Sequence, residues 1–161
     1  MKLRRGTRLP DDARAALPFE RGERPLAAAQ LADGAWVAAT GRALLSRAGR
    51  VPWTDVAHAQ WYDEDQTLVV DLVPEAGRPV RMVLADPGRL PETVHERVMA
   101  SIVLSRRIAV PGGGAVRLVA RSGDAGEVLW QVVPDPGTDL ADPAVRAYVD
   151  AALTRVRAEL G

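Results

Sequence analysis

The chain has 161 residues, no net formal charge and 47% hydrophobic residues, enough for one average domain with a packed core. It contains no cysteine, which excludes disulfides, thiolate metal sites and thiol nucleophiles. The longest strongly apolar run, residues 98–104, is far shorter than the ~20 residues of a membrane-spanning helix, and no secretory signal pattern follows the basic N-terminus. We therefore expect a soluble cytoplasmic protein.

Positive and negative charges are unevenly distributed. Residues 1–50 carry ten Lys or Arg against five Asp or Glu, whereas residues 51–161 carry eleven against sixteen. We interpret residues 1–25 as a basic N-terminal arm whose charges begin with Lys2, Arg4, Arg5 and Arg8. Such an arm is either a solvated terminus or a contact for phosphates and anionic lipid.

Apolar runs separated by turn residues predict six short antiparallel strands between residues 26 and 84. Asp33-Gly34 is a strong hairpin signal between the first two. The last three strands lie in residues 50–84, where the acidic run Asp63-Glu64-Asp65 predicts a turn. This arrangement favours a twisted meander that curves toward a barrel.

The first strand of residues 50–84 has two distinct faces, because side chains alternate along a strand. Trp53 and Trp61 fall on one face, and their large apolar area predicts that this face is the core. The opposite face is predicted to point outward, and it carries Val56, His58, Gln60 and Tyr62.

A helix is predicted to begin at Pro91 and to run to about Arg106 or Arg107. Pro111-Gly112-Gly113-Gly114 then predicts a linker. Two further strands, 115–121 and 127–133, precede a last helix that is capped by Asp142 and has a continuous apolar stripe.

The predicted fold class is therefore α+β. A curved antiparallel sheet or barrel of about six strands with a helix occupies residues 26–107. A ββα unit, residues 115–161, is expected to pack on the same domain.

A strand ending in Thr40 leads to a short Leu44-Leu45 strand and then to the approach Pro52-Trp53-Thr54-Asp55-Val56. This order resembles bacterial pleckstrin-homology-like (PH-like) and GRAM-like domains over roughly residues 26–106, and the whole chain resembles actinobacterial proteins of similar length. The resemblance implies a curved antiparallel barrel capped by a helix, with a role in binding proteins, peptides or membrane surfaces. The dense basic loop of lipid-binding members is missing here, which argues against phosphoinositide recognition.

Few residues point to catalysis. His58 and His95 are the only histidines, and neither lies in a diagnostic metal or acid–base spacing. The acidic turn lacks the alternating ligands of a calcium loop, and the glycine run leads into a strand and not into the helix that a phosphate loop requires. We expect no cofactor, no metal and no nucleic-acid partner.

The leading interpretation is a non-catalytic PH-like adaptor that binds a protein or peptide and could form a homo-oligomer. Its predicted surfaces are the outward face of Val56, His58, Gln60 and Tyr62 and a groove beside the terminal helix. One alternative is peripheral binding to an anionic membrane through Arg4, Arg5 and Arg8. Another is an enzyme that uses His58 or His95 with a neighbouring carboxylate.

Overall fold

The computed structural model describes residues 8–73, 76–123 and 126–160 of an α+β protein. The chain divides into two units, Met1–Ser101 and Ile102–Gly161. The first contains a seven-stranded antiparallel sheet curled into a half-barrel, and the second contains a three-stranded antiparallel sheet and a long helix. The predicted α+β class and curved antiparallel sheet are confirmed.

The seven strands of the first unit form two consecutive meanders. The first meander consists of β1 (Ala27–Leu31), β2 (Trp36–Ala39), β3 (Ala43–Ser46) and β4 (Gly49–Pro52), and the second of β5 (Val56–Tyr62), β6 (Thr67–Leu72) and β7 (Val80–Asp86). Since β1 pairs with β7, the order across the sheet is β4-β3-β2-β1-β7-β6-β5. The strand that the sequence pattern missed is β4, because Gly and Pro are depleted in strands.

The connection between β4 and β5 explains why the sheet curls. These strands are the two edges of the sheet, yet a single 3-10 turn, Trp53–Asp55, joins them. In a flat sheet, strands spaced by about 4.8 Å would place the two edges about 29 Å apart. The chain from Pro52 to Val56 can span at most about 14 Å. The edges must therefore approach each other.

Four residues, which we call the corner network, fasten the chain where β4 turns into β5. The Trp53 indole Nε1–H donates to the Thr40 carbonyl oxygen over 2.8 Å. The Thr40 hydroxyl donates to Glu23 Oε2 over 2.6 Å, and Arg50 Nη2 donates to the same oxygen over 3.0 Å. Glu23 is only 6% exposed, and its hydrogen bonding with Arg50 holds its pKa at about 2, well below the usual range.

The described part of the predicted arm, residues 9–25, lies against the sheet. A short helix, α1 (Asp11–Ala16), lies in this segment, and the buried Leu17 packs against β1 and β2. Arg50 Nη1 also donates to the Pro18 carbonyl oxygen over 2.9 Å. The segment is docked on the sheet because the corner network and this small apolar cluster hold it there.

The core of the first unit lies between the inner face of the curled sheet and α2 (Leu90–Ala100). Pro91 lies in the first turn of α2, as predicted. The helix buries one face against the sheet, and the half-buried Ala59 and Trp61 border the same core. The main buried side chains of this core are Val37, Leu44, Trp53, Val56, Leu68, Val70, Met82, Leu84, Leu90, Val94 and Val98.

The prediction that α2 continues to Arg106 or Arg107 is wrong. The helix ends at Ala100, and residues 102–109 form strand β8 (Ile102–Ala109) of the second unit. The apolar run across residues 98–104 fits a buried helix and a buried strand equally well, so periodicity alone does not place the boundary. β-Branched residues after Ser101 favour the strand.

The second unit has three strands before its helix and not the two predicted. β8, β9 (Ala115–Ser122) and β10 (Val128–Pro134) form a sheet of order β10-β9-β8. The predicted linker is the β8–β9 hairpin turn, where Gly112, Gly113 and Gly114 have φ of 84°, 94° and 89°, a region that favours glycine.

The terminal helix α3 (Pro143–Leu160) matches its prediction. Asp142 Oδ1 accepts a hydrogen bond from the Ala144 backbone N–H over 2.9 Å, which caps the helix start. Its apolar stripe packs on one face of the three-stranded sheet through Val145, Val149, Ala152 and Val156. No helix in the described part of the chain is long and apolar enough to cross a bilayer.

Replacing Glu23 by alanine is expected to lower the free energy of unfolding by about 2–3 kcal/mol, because the largely buried Arg50 guanidinium loses its main partner. Urea unfolding followed by circular dichroism measures the change. The matched control is Glu20→Ala, which removes a 55% exposed carboxylate from the same guanidinium and should cost less than about 1 kcal/mol. Equal losses in the two variants would contradict the structural role of Glu23.

The corner network also predicts a pH dependence. Glu23 has a pKa of about 2 in the folded protein against an ordinary 4.5, so its carboxylate contributes stability above pH 4.5 that is lost as the pH falls toward 2. The contribution is of order 3 kcal/mol. The difference in unfolding free energy between the wild type and Glu23→Gln should be constant near neutral pH and shrink across that acidic window. A difference that does not change down to pH 2.5 would refute the assignment.

Candidate binding groove

The structure separates the four residues predicted to share the outward face of β5. His58, Gln60 and Tyr62 are exposed, but Val56 is completely buried in the core, which corrects its assignment to a binding surface. The β5–β6 register explains the difference: it shifts between Val56 and His58, so one extra residue of β5 lies in a bulge. A bulge reverses the alternation of side chains, and Val56 therefore points inward.

The outward face of β5 continues across β6 and β7. The exposed Tyr62 lies opposite Thr67, which is itself buried, and Thr67 lies opposite the 50% exposed Val83. At the other end of the strand, His58 Nδ1 lies 3.7 Å from Asp71 Oδ2, and both side chains are about half or more exposed. A pair this open to solvent contributes little to stability. The face is a mixed polar and apolar surface.

A groove of about 480 Å³ lies on the other side of β5, beside α2. Ala59 and Trp61 of β5 and Leu68 of β6 form one wall. The start of α2 forms the other wall with Pro91, Glu92 and His95, and Asp63 lies at the hairpin end. This groove therefore lies beside α2, and the groove predicted beside the terminal helix stays a prediction.

The polar groups of the groove come mainly from the β5–β6 hairpin and the first turns of α2. Asp63 orders the hairpin, since its Oδ1 accepts hydrogen bonds from Trp61 Nε1 over 3.4 Å and from Gln66 Nε2 over 3.2 Å. Glu92 is exposed and lies 4.0 Å from the Arg89 guanidinium, a loose pair between two side chains that are each about two-thirds exposed. The acidic run is a hairpin turn, as predicted.

The two histidines are not brought together. His58 points outward from β5, whereas His95 lines the groove on the opposite side of that strand. Within residues 8–73, 76–123 and 126–160, no group of three or more His, Asp or Glu side chains is arranged to hold a metal ion. The groove therefore offers a single imidazole with carboxylates on an otherwise apolar surface.

The backbone of β5 is available along the same groove. The Leu84 N–H donates to the Gln66 carbonyl oxygen between β7 and β6. Because hydrogen-bonded pairs alternate in antiparallel strands, Thr67 directs its backbone groups toward β5. Trp61 and Ala59 consequently direct their N–H and C=O groups away from β6, and no hydrogen bond to another described residue occupies them.

The basic residues proposed for membrane contact are described only in part. Arg4 and Arg5 lie outside the described residues, and Arg8 is exposed. The described groove is lined by carboxylates, which do not attract anionic headgroups.

The sequence pattern missed the groove although it identified several of its residues. Trp61 was predicted as a core anchor and Pro91 as a helix start, but more than twenty residues separate them. Their proximity depends on the curl that brings β5 beside α2. Trp61 would indicate a groove if β5 were known to be an edge strand. Strand order decides which strand lies at an edge, and the local sequence does not specify that order.

Comparison with protein families, with characterised proteins and with solved structures finds no match to this chain.

The inward position of Val56 can be tested by truncation. Val56→Ala should lower the free energy of unfolding by about 1–3 kcal/mol, because it removes two methyl groups from a fully buried site. Gln60→Ala, an exposed position on the same strand, should change it by less than about 0.5 kcal/mol. Denaturant unfolding of the two variants measures both values, and similar small effects would place Val56 at the surface after all.

Proposed function

We propose that this chain is a non-catalytic PH-like binding module that recognises an extended segment of another protein by adding it as a strand to β5. The observation that carries the proposal is the open edge of β5 beside an apolar groove. In strand addition, main-chain hydrogen bonds give affinity and adjacent pockets select side chains.

The edge of β5 is unusually unprotected compared with the other edge of the same sheet. β5 has seven residues, about 23 Å, and contains no Pro, Lys or Arg. β4 has only four residues, ends in Pro52 and contributes Arg50 to the corner network. Natural sheets usually protect their edges with short strands, charges, bulges or proline. The bulge of β5 lies at its start, between Val56 and His58, so the part that favours a binding role is the stretch after it, where Ala59 and Trp61 direct their backbone groups away from β6.

The side chains next to this edge match the same role. Ala59 and Trp61 carry the free backbone groups and also line the groove, so a strand that pairs with β5 would place alternate side chains between β5 and α2. The curled antiparallel sheet covered by α2 is also what the resemblance to PH-like domains implies. These features support a module that binds a peptide segment.

The proposal of a non-catalytic role draws on the placement of the ionisable residues. The Asp71 partner of His58 lies on an open sheet face, and His95 lies in a wide groove with no short ion pair to another described carboxylate. General acid–base catalysis needs a side chain within hydrogen-bond reach of the proton that it transfers and a pKa suited to that transfer. A peptide segment needs only the edge and the groove.

Selection of a random heptapeptide library on the full-length protein tests the proposal. Peptides should be enriched, and Ala59→Pro should weaken their binding at least about tenfold, because proline removes an edge N–H and places a ring in the path of the added strand. The β5–β6 ladder should survive, since the Ala59 N–H points away from β6.

The matched control is Ala59→Val, which adds similar bulk but keeps the N–H and should change affinity less than about threefold. Circular dichroism and urea unfolding establish that both variants are folded. Failure to enrich any peptide, or equal affinity of the folded proline and valine variants, would refute strand addition at β5.

A further inference from the structure

The walls of the groove combine apolar surface with negative charge. Trp61, Leu68 and Pro91 supply the apolar part, and Asp63 and Glu92 supply carboxylates, one from the β5–β6 hairpin and one from α2. No Lys or Arg is among the described residues that line it. An occupant that covers the apolar wall and carries positive charge would satisfy both features.

The surroundings of the groove strengthen the negative charge. The hairpin continues from Asp63 into Glu64 and Asp65, and Glu96 follows Glu92 by one turn of α2. Among the described residues, Arg89 forms a loose, solvent-exposed pair with Glu92, and the imidazole of His95 lines the groove. The carboxylates outnumber these basic groups, and Glu92 also compensates the positive end of the α2 dipole.

Trp61 favours a guanidinium or ammonium group as the positive charge in the groove. Its indole is half-buried, and its Nε1–H is directed to Asp63, so part of the ring forms the groove wall. A guanidinium or ammonium group over an indole face is attracted by the ring quadrupole. The methylene stem of arginine or lysine can cover apolar surface while its charge stays near water and carboxylates.

We propose that the groove between β5 and α2 selects an arginine or lysine side chain of the extended segment that pairs with β5. This inference rests on the proposed function and adds the chemistry of the partner. The backbone of the segment occupies the groups of Ala59 and Trp61. Its basic side chain lies against the Trp61 ring, between Asp63 and Glu92.

The heptapeptide selection tests this inference through the residues it enriches. A basic residue should dominate one position, and replacing it in the enriched peptide by citrulline, a neutral analogue of arginine, or by norleucine for lysine should weaken binding about fivefold or more. Raising the salt concentration should weaken the basic peptide more than its neutral analogue.

Variants of two neighbouring glutamates locate the basic side chain. Glu92→Gln should weaken binding of the basic peptide about threefold to tenfold and leave its neutral analogue unchanged. Glu96→Gln is the control, because it removes the same charge from the same helix outside the groove lining. Nuclear magnetic resonance should show the Trp61 Nε1–H signal shifting when the peptide binds.

The outcomes separate the two proposals. Enriched peptides without a basic residue, or a basic peptide affected equally by Glu92→Gln and Glu96→Gln, would overturn the cation site while strand addition stands. A library that yields no binding peptide would overturn strand addition and the cation site together.

Discussion

The short link between β4 and β5 is the constraint on which the first unit depends. Three residues, Trp53–Asp55, join the two edges of a seven-stranded sheet, and they cannot span its flat width. The sheet must curl, and the curl creates the interior that α2 fills. Trp53 supports the link from inside, since it is buried and donates to the Thr40 carbonyl oxygen.

Polar contacts also stabilise this corner, through the buried carboxylate of Glu23. A buried carboxylate is costly unless charges and hydrogen bonds compensate it. Glu23 receives hydrogen bonds from Thr40 and Arg50, so it is compensated only when the N-terminal segment, the end of β2 and β4 are assembled. The network therefore couples segments that are distant in sequence, and it docks residues that composition alone would leave as an arm.

The two edge strands of the sheet differ in length and in how their residues are bonded. β4 is short, ends in proline and is engaged by the corner network, whereas β5 extends over seven residues beside α2. The backbone groups of Ala59 and Trp61 and the groove next to them lie along this second edge. The link that closes one corner of the sheet thus leaves the backbone of Ala59 and Trp61 and the neighbouring groove at the β5 edge, where we propose that a partner segment binds.

The amino-acid sequence by itself determined the features that depend on local chemistry. Asp33-Gly34 predicted its hairpin, Pro91 the start of α2, and Asp142-Pro143 the start of α3, because turn and cap preferences act within a few residues. Tertiary structure decided the features that depend on partners. A bulge turned Val56 inward, pairing with β9 made residues 102–109 a strand, and curling brought Trp61 near Glu92. A strand, its register and its edge position depend on the strands and helices that pack beside it. The periodicity of a local sequence does not identify those neighbours.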